Sequence, residues 1–310
     1  MYEGKLVFSQ LMDHLPQHTF RRCVERFGGD RSIKSFSCQD QFRAMAFAQL
    51  TYRDSLRDTV ICLNAQSAKL YHMGIRGAVR RSTLADANEL RDWRLYAAFA
   101  AALIAVARRL YADDGFGADL DSAAYALDTT TVDLCLSLFP WAHFQRHKAA
   151  VKLHTMLDLR GNIPVIVHID DGKSYDTDIL DVIVPEAGAI YVMDRGFFDL
   201  VRLRRLTTAA AFFVVRAKDR HCVRRIASRS VDRSSGIICD QIVELTIRQS
   251  AQKYPDRLRR YRDPQTGKTL IFLINNFTIA PRTIADLYRC RWQIELFFKW
   301  IKQHLRIKSF

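Results

Sequence analysis

The sequence predicts an α/β protein: an all-α first part, then a mixed β-sheet with helices on its faces, carrying a basic β-rich insertion. Three observations predict it. Apolar residues recur at helical spacing through residues 1–112. From Ala123 the period changes to short apolar runs and alternation, the pattern of strands. A last helical pattern opens just after Pro281, with an apolar strip of Leu287, Ile294, Phe298, Ile301 and Leu305 that would dock it on a core. At 310 residues the chain exceeds one ordinary domain and has apolar content for a substantial core.

The elements follow in order. Cys38–Leu50 and Ser55–Leu63 are short amphipathic patterns, Thr83 is placed to cap the next helix, and Asp92–Tyr111 is a longer, nearly apolar helix. Gly115–Asp121, glycine-bearing and acidic, reads as a linker. Ala124–Asp128 and Ala149–Asp158 read as strands, with Arg160-Gly161-Asn162 a tight turn into a third, Ile163–His168. A polar loop and a short helix near Asp178–Val184 precede a strand, Ala189–Met193, which ends at Asp194. Phe198–Thr207 suits a helix and Ala211–Arg216 a further strand. Three consecutive strands, then helix, strand, helix and strand, match the ribonuclease-H-like order of a mixed sheet. The basic insertion spans about 217–277, with alternation in Ile237–Arg248, a cationic Arg257–Arg262 run and a core strand at Leu270–Ile274. The predicted domains are therefore a helical one over 1–112 and a catalytic one over 121–310.

Charge narrows the function. The net charge is +14 and the sequence pI near 9.7, which points to a polyanionic partner. Residues 1–112 carry 17 Lys+Arg against 10 Asp+Glu, whereas 113–215 carry 9 against 15. Residues 216–263 return to 13 against 6, and 282–310 carry 7 against 2. An acidic middle among basic segments is the layout of a metal-dependent nuclease core between DNA-gripping surfaces. Arg43, Arg53, Arg57, Arg76, Arg80 and Arg81 give the helical part a basic surface suited to reading DNA ends. Seven cysteines without a C-x-x-C pair fit reduced thiols in a cytosolic protein rather than a disulfide framework or zinc site. The longest apolar run, Tyr96–Ala107, is too short to span a bilayer, so no membrane role is expected. His14-x3-His18 and His143-x3-His147 lack the further ligands of a zinc site, and Asp170-Asp171 reads as solvated turn residues.

The chemistry is carried by three carboxylates. Asp128 ends an apolar strand before Thr129-Thr130-Thr131, and Asp194 ends another before Arg195-Gly196-Phe197. Carboxylates at the carboxyl ends of neighbouring strands converge. On the last helix, Tyr288, Arg291, Glu295 and Lys302 fall within roughly 60° of one another at about 100° per residue, and Lys299 and Arg306 share the strip. Taken alone, that spacing also describes a solvated face with intrahelical ion pairs. Joined to Asp128 and Asp194, Glu295 completes a set able to hold two divalent cations for phosphodiester chemistry.

These motifs, in this order, resemble bacterial insertion-sequence DDE transposases of the group marked by a Tyr-Arg-Glu-Lys motif, the insertion sequence four family. Residues 1–112 resemble the helical domain of unknown function that precedes the catalytic part in one branch. The resemblance implies that Asp128, Asp194 and Glu295 are catalytic and bind Mg2+ or Mn2+. It implies that Tyr288, Arg291, Lys299, Lys302 and Arg195 contact DNA. It further implies cleavage at the element's ends, transfer of the 3′-hydroxyl into target DNA, and a homodimer on paired terminal inverted repeats in the bacterial cytoplasm, at the nucleoid. Relatives continue beyond the motif's lysine, whereas this sequence stops at Phe310, eight residues after Lys302. The alternatives are a truncated, catalytically incompetent copy that binds DNA and inhibits transposition, and a general nuclease on the same fold.

Overall fold

A computed structural model of the protein describes residues 6–134, 143–145, 148–217, 223–246, 253–262, 267 and 269–304. The chain divides into two compact units, Met1–Arg109 with Lys299–Phe310, and Leu110–Phe298.

The first unit is helical: α1 (Val7–Asp13), α2 (Gln17–Arg26), α3 (Cys38–Leu50), α4 (Leu56–Ala65), α5 (Ser67–Leu70), α6 (Arg81–Leu90) and α7 (Arg94–Leu110). The start of α3 is fixed by a reciprocal cap in which Ser37 Oγ accepts from the Asp40 amide and Asp40 accepts from the Ser37 amide. Ser55 caps α4 through the Asp58 amide. One core gathers Phe20, Phe42, Tyr96 and Phe99, with Phe20 edge-on to Phe99 at 5.0 Å. A second gathers Leu63, Leu70, Ile75 and Leu84. Thr83 does not cap α6, which begins two residues earlier. The Asn64 amide clamps both backbone groups of Val79, at 2.9 and 3.0 Å, and so sets where the chain turns into the helix.

The second unit holds one mixed sheet. Its strands are β1 (Ala124–Leu134), β2 (His143–Gln145), β3 (Lys148–Asp158), β4 (Ile163–Asp171), β5 (Ile190–Met193) and β6 (Phe212–Arg216), followed by β7 (Val223–Arg229), β8 (Ile237–Thr246), β9 (Lys253–Arg262) and β10 (Thr269–Ile274). β3 lies antiparallel to both β4 and β1, and β1, β5 and β6 run parallel. The spatial order β4-β3-β1-β5-β6, an antiparallel meander extended by two parallel strands, is the ribonuclease-H-like order. Gly161 (φ 76°) and Asn162 (φ 54°) both adopt left-handed conformations in the four-residue turn, 159–162, that joins β3 to β4. The insertion does not fold apart. β7 to β10 form an antiparallel meander whose last strand pairs with β6 and widens the same sheet.

Strand alternation divides the sheet into two faces. Tyr125, Leu127, Tyr191, Met193, Phe213 and Val215 face one core, closed by Leu180 of α8 (Ile179–Val182) and by Leu203 and Leu206 of α9 (Leu200–Thr208). The alternate residues, Ala126, Val192 and Val214, are buried on the other face. There α10 (Pro281–Cys290) sets the Tyr288 ring 4.7 Å from Phe272 of β10. Proline in the first turn opens α10, and Asn276 accepts from the amides of Thr278 and Ile279 just before it.

Three further expectations are corrected. β1 does not end at Asp128 but runs on to Leu134, because β-branched threonines suit a pleated strand and β3 continues as its partner. The final helix is not continuous: it breaks at Arg291 into α10 and α11 (Trp292–His304). Asp170 and Asp171 close β4, paired with Lys152 and Val151, rather than lying in a loop. His147, Leu305 and Arg306 lie outside the described residues.

Candidate active site

Three parallel strands repeat one pattern on the face beneath α10. Ala124-Ala126-Asp128, Ile190-Val192-Asp194 and Phe212-Val214-Arg216 each place two apolar side chains and then a charge at alternate positions. The last pairings are Leu127 with Met193 and Met193 with Val215. One step further along, Asp128, Asp194 and Arg216 therefore form a row at the carboxyl edge of the parallel strands. Arg216 was not singled out from sequence, although the same signal, an apolar run ending in a charge, marks it.

The break between α10 and α11 delivers the remaining groups. Arg291 is buried, and Nη1 donates to Asp128 Oδ2 at 3.1 Å while Nη2 donates to Glu295 Oε1 at 2.5 Å. Glu295 is held in the first turn of α11. The Tyr288 hydroxyl donates to Asp194 Oδ1 at 3.0 Å, and the Arg291 guanidinium carbon lies 5.3 Å from the Tyr288 ring centre. Arg216 stands 4.0 Å from Asp194. Asp128, Asp194, Glu295, Tyr288 and Arg291 are thus brought together. Arg195 is exposed on the turn immediately after Asp194. Lys299 and Lys302 are exposed further along α11 and form no ion pair among the described residues.

The electrostatics follow from burial. Desolvation pushes the Asp128 carboxyl above its ordinary range; the Thr129 amide and Arg291 pull it back, while the charges of Glu295 and Asp194 push it further up. Burial, with the charge of Asp194 and the bond to it, pushes the Tyr288 phenol up to about 12, so it stays protonated and donates at neutral pH. On the other side of β1 lies a support that sequence reasoning missed. His154 is fully buried, with Nδ1 2.8 Å from Thr129 Oγ1, and the Thr129 amide donates to Asp128 Oδ1 at 2.8 Å. Burial holds the His154 ring below its usual pKa and therefore neutral. No spacing in the sequence marks that contact, because it depends on the register of β1 against β3.

The donor set fits a divalent cation. Three carboxylates supply the hard oxygens that Mg2+ and Mn2+ take. Thr155, directly opposite Asp128 in the sheet, has a buried hydroxyl without a hydrogen-bond partner. With Arg291 between Asp128 and Glu295, no three acidic, His or Cys side chains among the described residues stand as a ready-made metal cluster. The guanidinium carries the positive charge there.

Comparison with known proteins gives the family. Residues 119–310 match the family described as "Transposase DDE domain", and residues 3–76 match a domain of unknown function. A putative transposase of Sinorhizobium fredii is 33% identical over 188 residues, covering 59% of this chain and 52% of that protein. A probable insertion-sequence transposase of Geobacillus stearothermophilus is 30% identical over 185 residues, covering 59% of this chain and 48% of that protein. The chain spans about half the length of the curated relatives it matches. A piggyBac transposase solved in a synaptic complex with hairpin DNA covers 95% of this chain and 66% of its own at 10% identity, with a TM-score of 0.44, too low to bear on the fold. The ribonuclease-H-like assignment rests instead on strand order, and the match over residues 119–310 identifies the chain as a member of the transposase DDE domain family.

Proposed function

We propose that this protein is a DNA transposase that cuts phosphodiesters at the ends of an insertion element and joins the freed 3′-hydroxyl to target DNA. One observation carries the reading: Asp128 and Asp194 follow directly where the parallel pairing of β1 with β5 ends, and Arg291 ties Glu295 to Asp128. Asp128, Asp194 and Glu295 would hold Mg2+ or Mn2+, which when bound activates the attacking oxygen and stabilises the leaving one.

The chain's own groups do the positioning. Tyr288 keeps its proton and fixes Asp194 through one oxygen, leaving the other free to ligate. Thr129, held from behind by His154, fixes Asp128 through Oδ1. Arg291 neutralises Asp128 and Glu295, and its planar fork has the geometry that would also suit a phosphate. Arg195, Lys299 and Lys302 are exposed cations suited to the DNA backbone. The partner on this reading is double-stranded DNA, both terminal inverted repeats and target, bound by two copies on paired ends. Its action belongs in the bacterial cytoplasm, at the nucleoid. No helix among the described residues is long and apolar enough to cross a membrane.

The test is direct. The DNA flanking the gene is sequenced for inverted repeats, and a labelled duplex carrying them is incubated with the protein and Mg2+. Metal-dependent 3′-hydroxyl ends at the repeat boundary are expected. Absence of cleavage on that duplex overturns the reading, and cleavage indifferent to the repeat replaces it with a general nuclease.

A further inference from the structure

We propose that the helical unit carries its own DNA-backbone site, a cleft between the Lys34 loop and the start of α6 where Lys34, Arg76 and Arg80 grip phosphodiester groups. The proposal rests on the DNA-processing reading above and adds to it a site outside the carboxylate centre.

The cleft is a cavity of about 560 Å3, floored by the buried side chains of Phe36 and Ile75. Lys34, Arg76 and Arg80 line it, all three are exposed, and none forms an ion pair among the described residues. Other arginines of this unit are committed internally. Arg43 donates to the Gly74 carbonyl, Arg53 to the Thr51 carbonyl, and Arg91 to the Phe36 and Ser37 carbonyls. Arg43 and Arg53 are therefore engaged within the unit, while three exposed cations, Lys34, Arg76 and Arg80, meet at one concavity. Like charges gathered at one place repel, and a polyanion is the partner that relieves the repulsion.

The cleft also contains Asp40, but that carboxylate is buried and fully used. Oδ2 accepts from the Ser37 amide at 2.8 Å and hydroxyl at 2.6 Å, and Oδ1 accepts from the Arg76 amide at 3.3 Å. It braces the Arg76 backbone instead of repelling a ligand. α6 brings no acidic residue in its first turn. Gly77 adds an approach route: a Cβ there would meet nothing within 4 Å, so the wall is bare backbone open to a sugar-phosphate strand. The hydroxyls of Ser35 and Thr83 line the same space and are the neutral donors that phosphate oxygens accept from.

The test measures binding of the full chain to a labelled random-sequence duplex over a salt series. Lys34→Gln, Arg76→Gln and Arg80→Gln together should lower affinity on the order of tenfold or more near physiological salt and reduce the salt slope by about 2–3, as three lost phosphate contacts require. Arg76→Lys with Arg80→Lys keeps the charge and should keep the slope; a thermal melt confirms that each variant is folded. An unchanged affinity and slope in the folded triple variant overturns the inference. If inorganic phosphate raises the wild-type melting temperature but not the variant's, while DNA affinity is equal, the cleft takes a small anion and the DNA assignment fails. Cleavage by a triple variant with undiminished DNA binding sinks this inference alone. Reduced DNA binding by the triple variant, in a protein that never cleaves, sinks the transposase reading alone.

Discussion

Arg291 donates to Asp128 across 163 residues of sequence, Nη1 to Oδ2 at 3.1 Å, and that bond ties the closing helices to the central strand. The other arm of the same guanidinium holds Glu295. A cation therefore already sits where two of the three carboxylates converge, and the predictions below follow from its being a side chain.

Replacing Arg291 with Gln leaves Asp128 and Glu295 facing each other without a counter-charge. Breaking a buried pair costs about 3–5 kcal/mol. The carboxylates are 21% and 33% exposed, so screening reduces this to about 1–3 kcal/mol. The melting temperature in EDTA should fall by several degrees, and Mg2+ should restore more in Arg291→Gln than in the wild type. Equal Mg2+ responses in a thermal scan would count against the charge-replacement account.

Asp128→Asn should stabilise the metal-free protein at neutral pH. The folded carboxyl is pushed above its ordinary pKa, chiefly by burial, so its contribution is present below the unfolded value near 4 and lost as pH rises through the folded value. At pH 7 the ionised form is therefore a cost that Asn removes, an effect on the order of a few degrees. Melting curves from pH 3 to 8 check it. The gap between variant and wild type should close as pH falls below 4, and a variant less stable at pH 7 would reverse the sign.

Tyr288→Phe keeps the ring against Phe272 and removes the donor to Asp194. A loss of about 1 kcal/mol is expected at neutral pH. Because the phenol is raised to about 12, its contribution is whole below pH 10 and disappears between about 10 and 12. The wild type should therefore lose stability faster than the variant across that window, and parallel curves would mean the hydroxyl is not bound as described.

His154 acts on the site through Thr129. Its pKa is lowered, mainly by burial, so its contribution is present above the unfolded value near 6.5 and lost as pH falls below it. His154→Phe should flatten the decline in melting temperature between pH 6.5 and 5 and lower kcat for DNA cleavage with little change in DNA affinity. A pH–stability curve indistinguishable from wild type would remove His154 as a support for Asp128.

Much of the candidate site is legible because an apolar run that ends in a charge leaves a local signature, as at Asp128 and Asp194. The motif helix is legible from its spacing, yet its break at Arg291 is not. Arg291 adopts a helical conformation (φ −52°, ψ −28°), and local propensity marks no stop there. The run of β1 beyond Asp128 escapes notice because three threonines serve equally in a loop or a pleated strand. Contacts set by register and tertiary packing, such as His154 with Thr129 or Arg43 turned inward to Gly74, have no one-dimensional trace. That inward turn is why fewer cations of the helical unit are free than counting arginines suggests.

The central claim is that Asp128, Asp194 and Glu295 act together as one set of divalent-cation ligands. It is tested most directly by titrating Mn2+ into the full chain and following free Mn2+ by electron paramagnetic resonance. The account predicts saturable binding by the wild type and a loss on the order of tenfold or more in each of Asp128→Asn, Asp194→Asn and Glu295→Gln, with folding intact by circular dichroism. Wild-type affinity for Mn2+ in all three variants would contradict it.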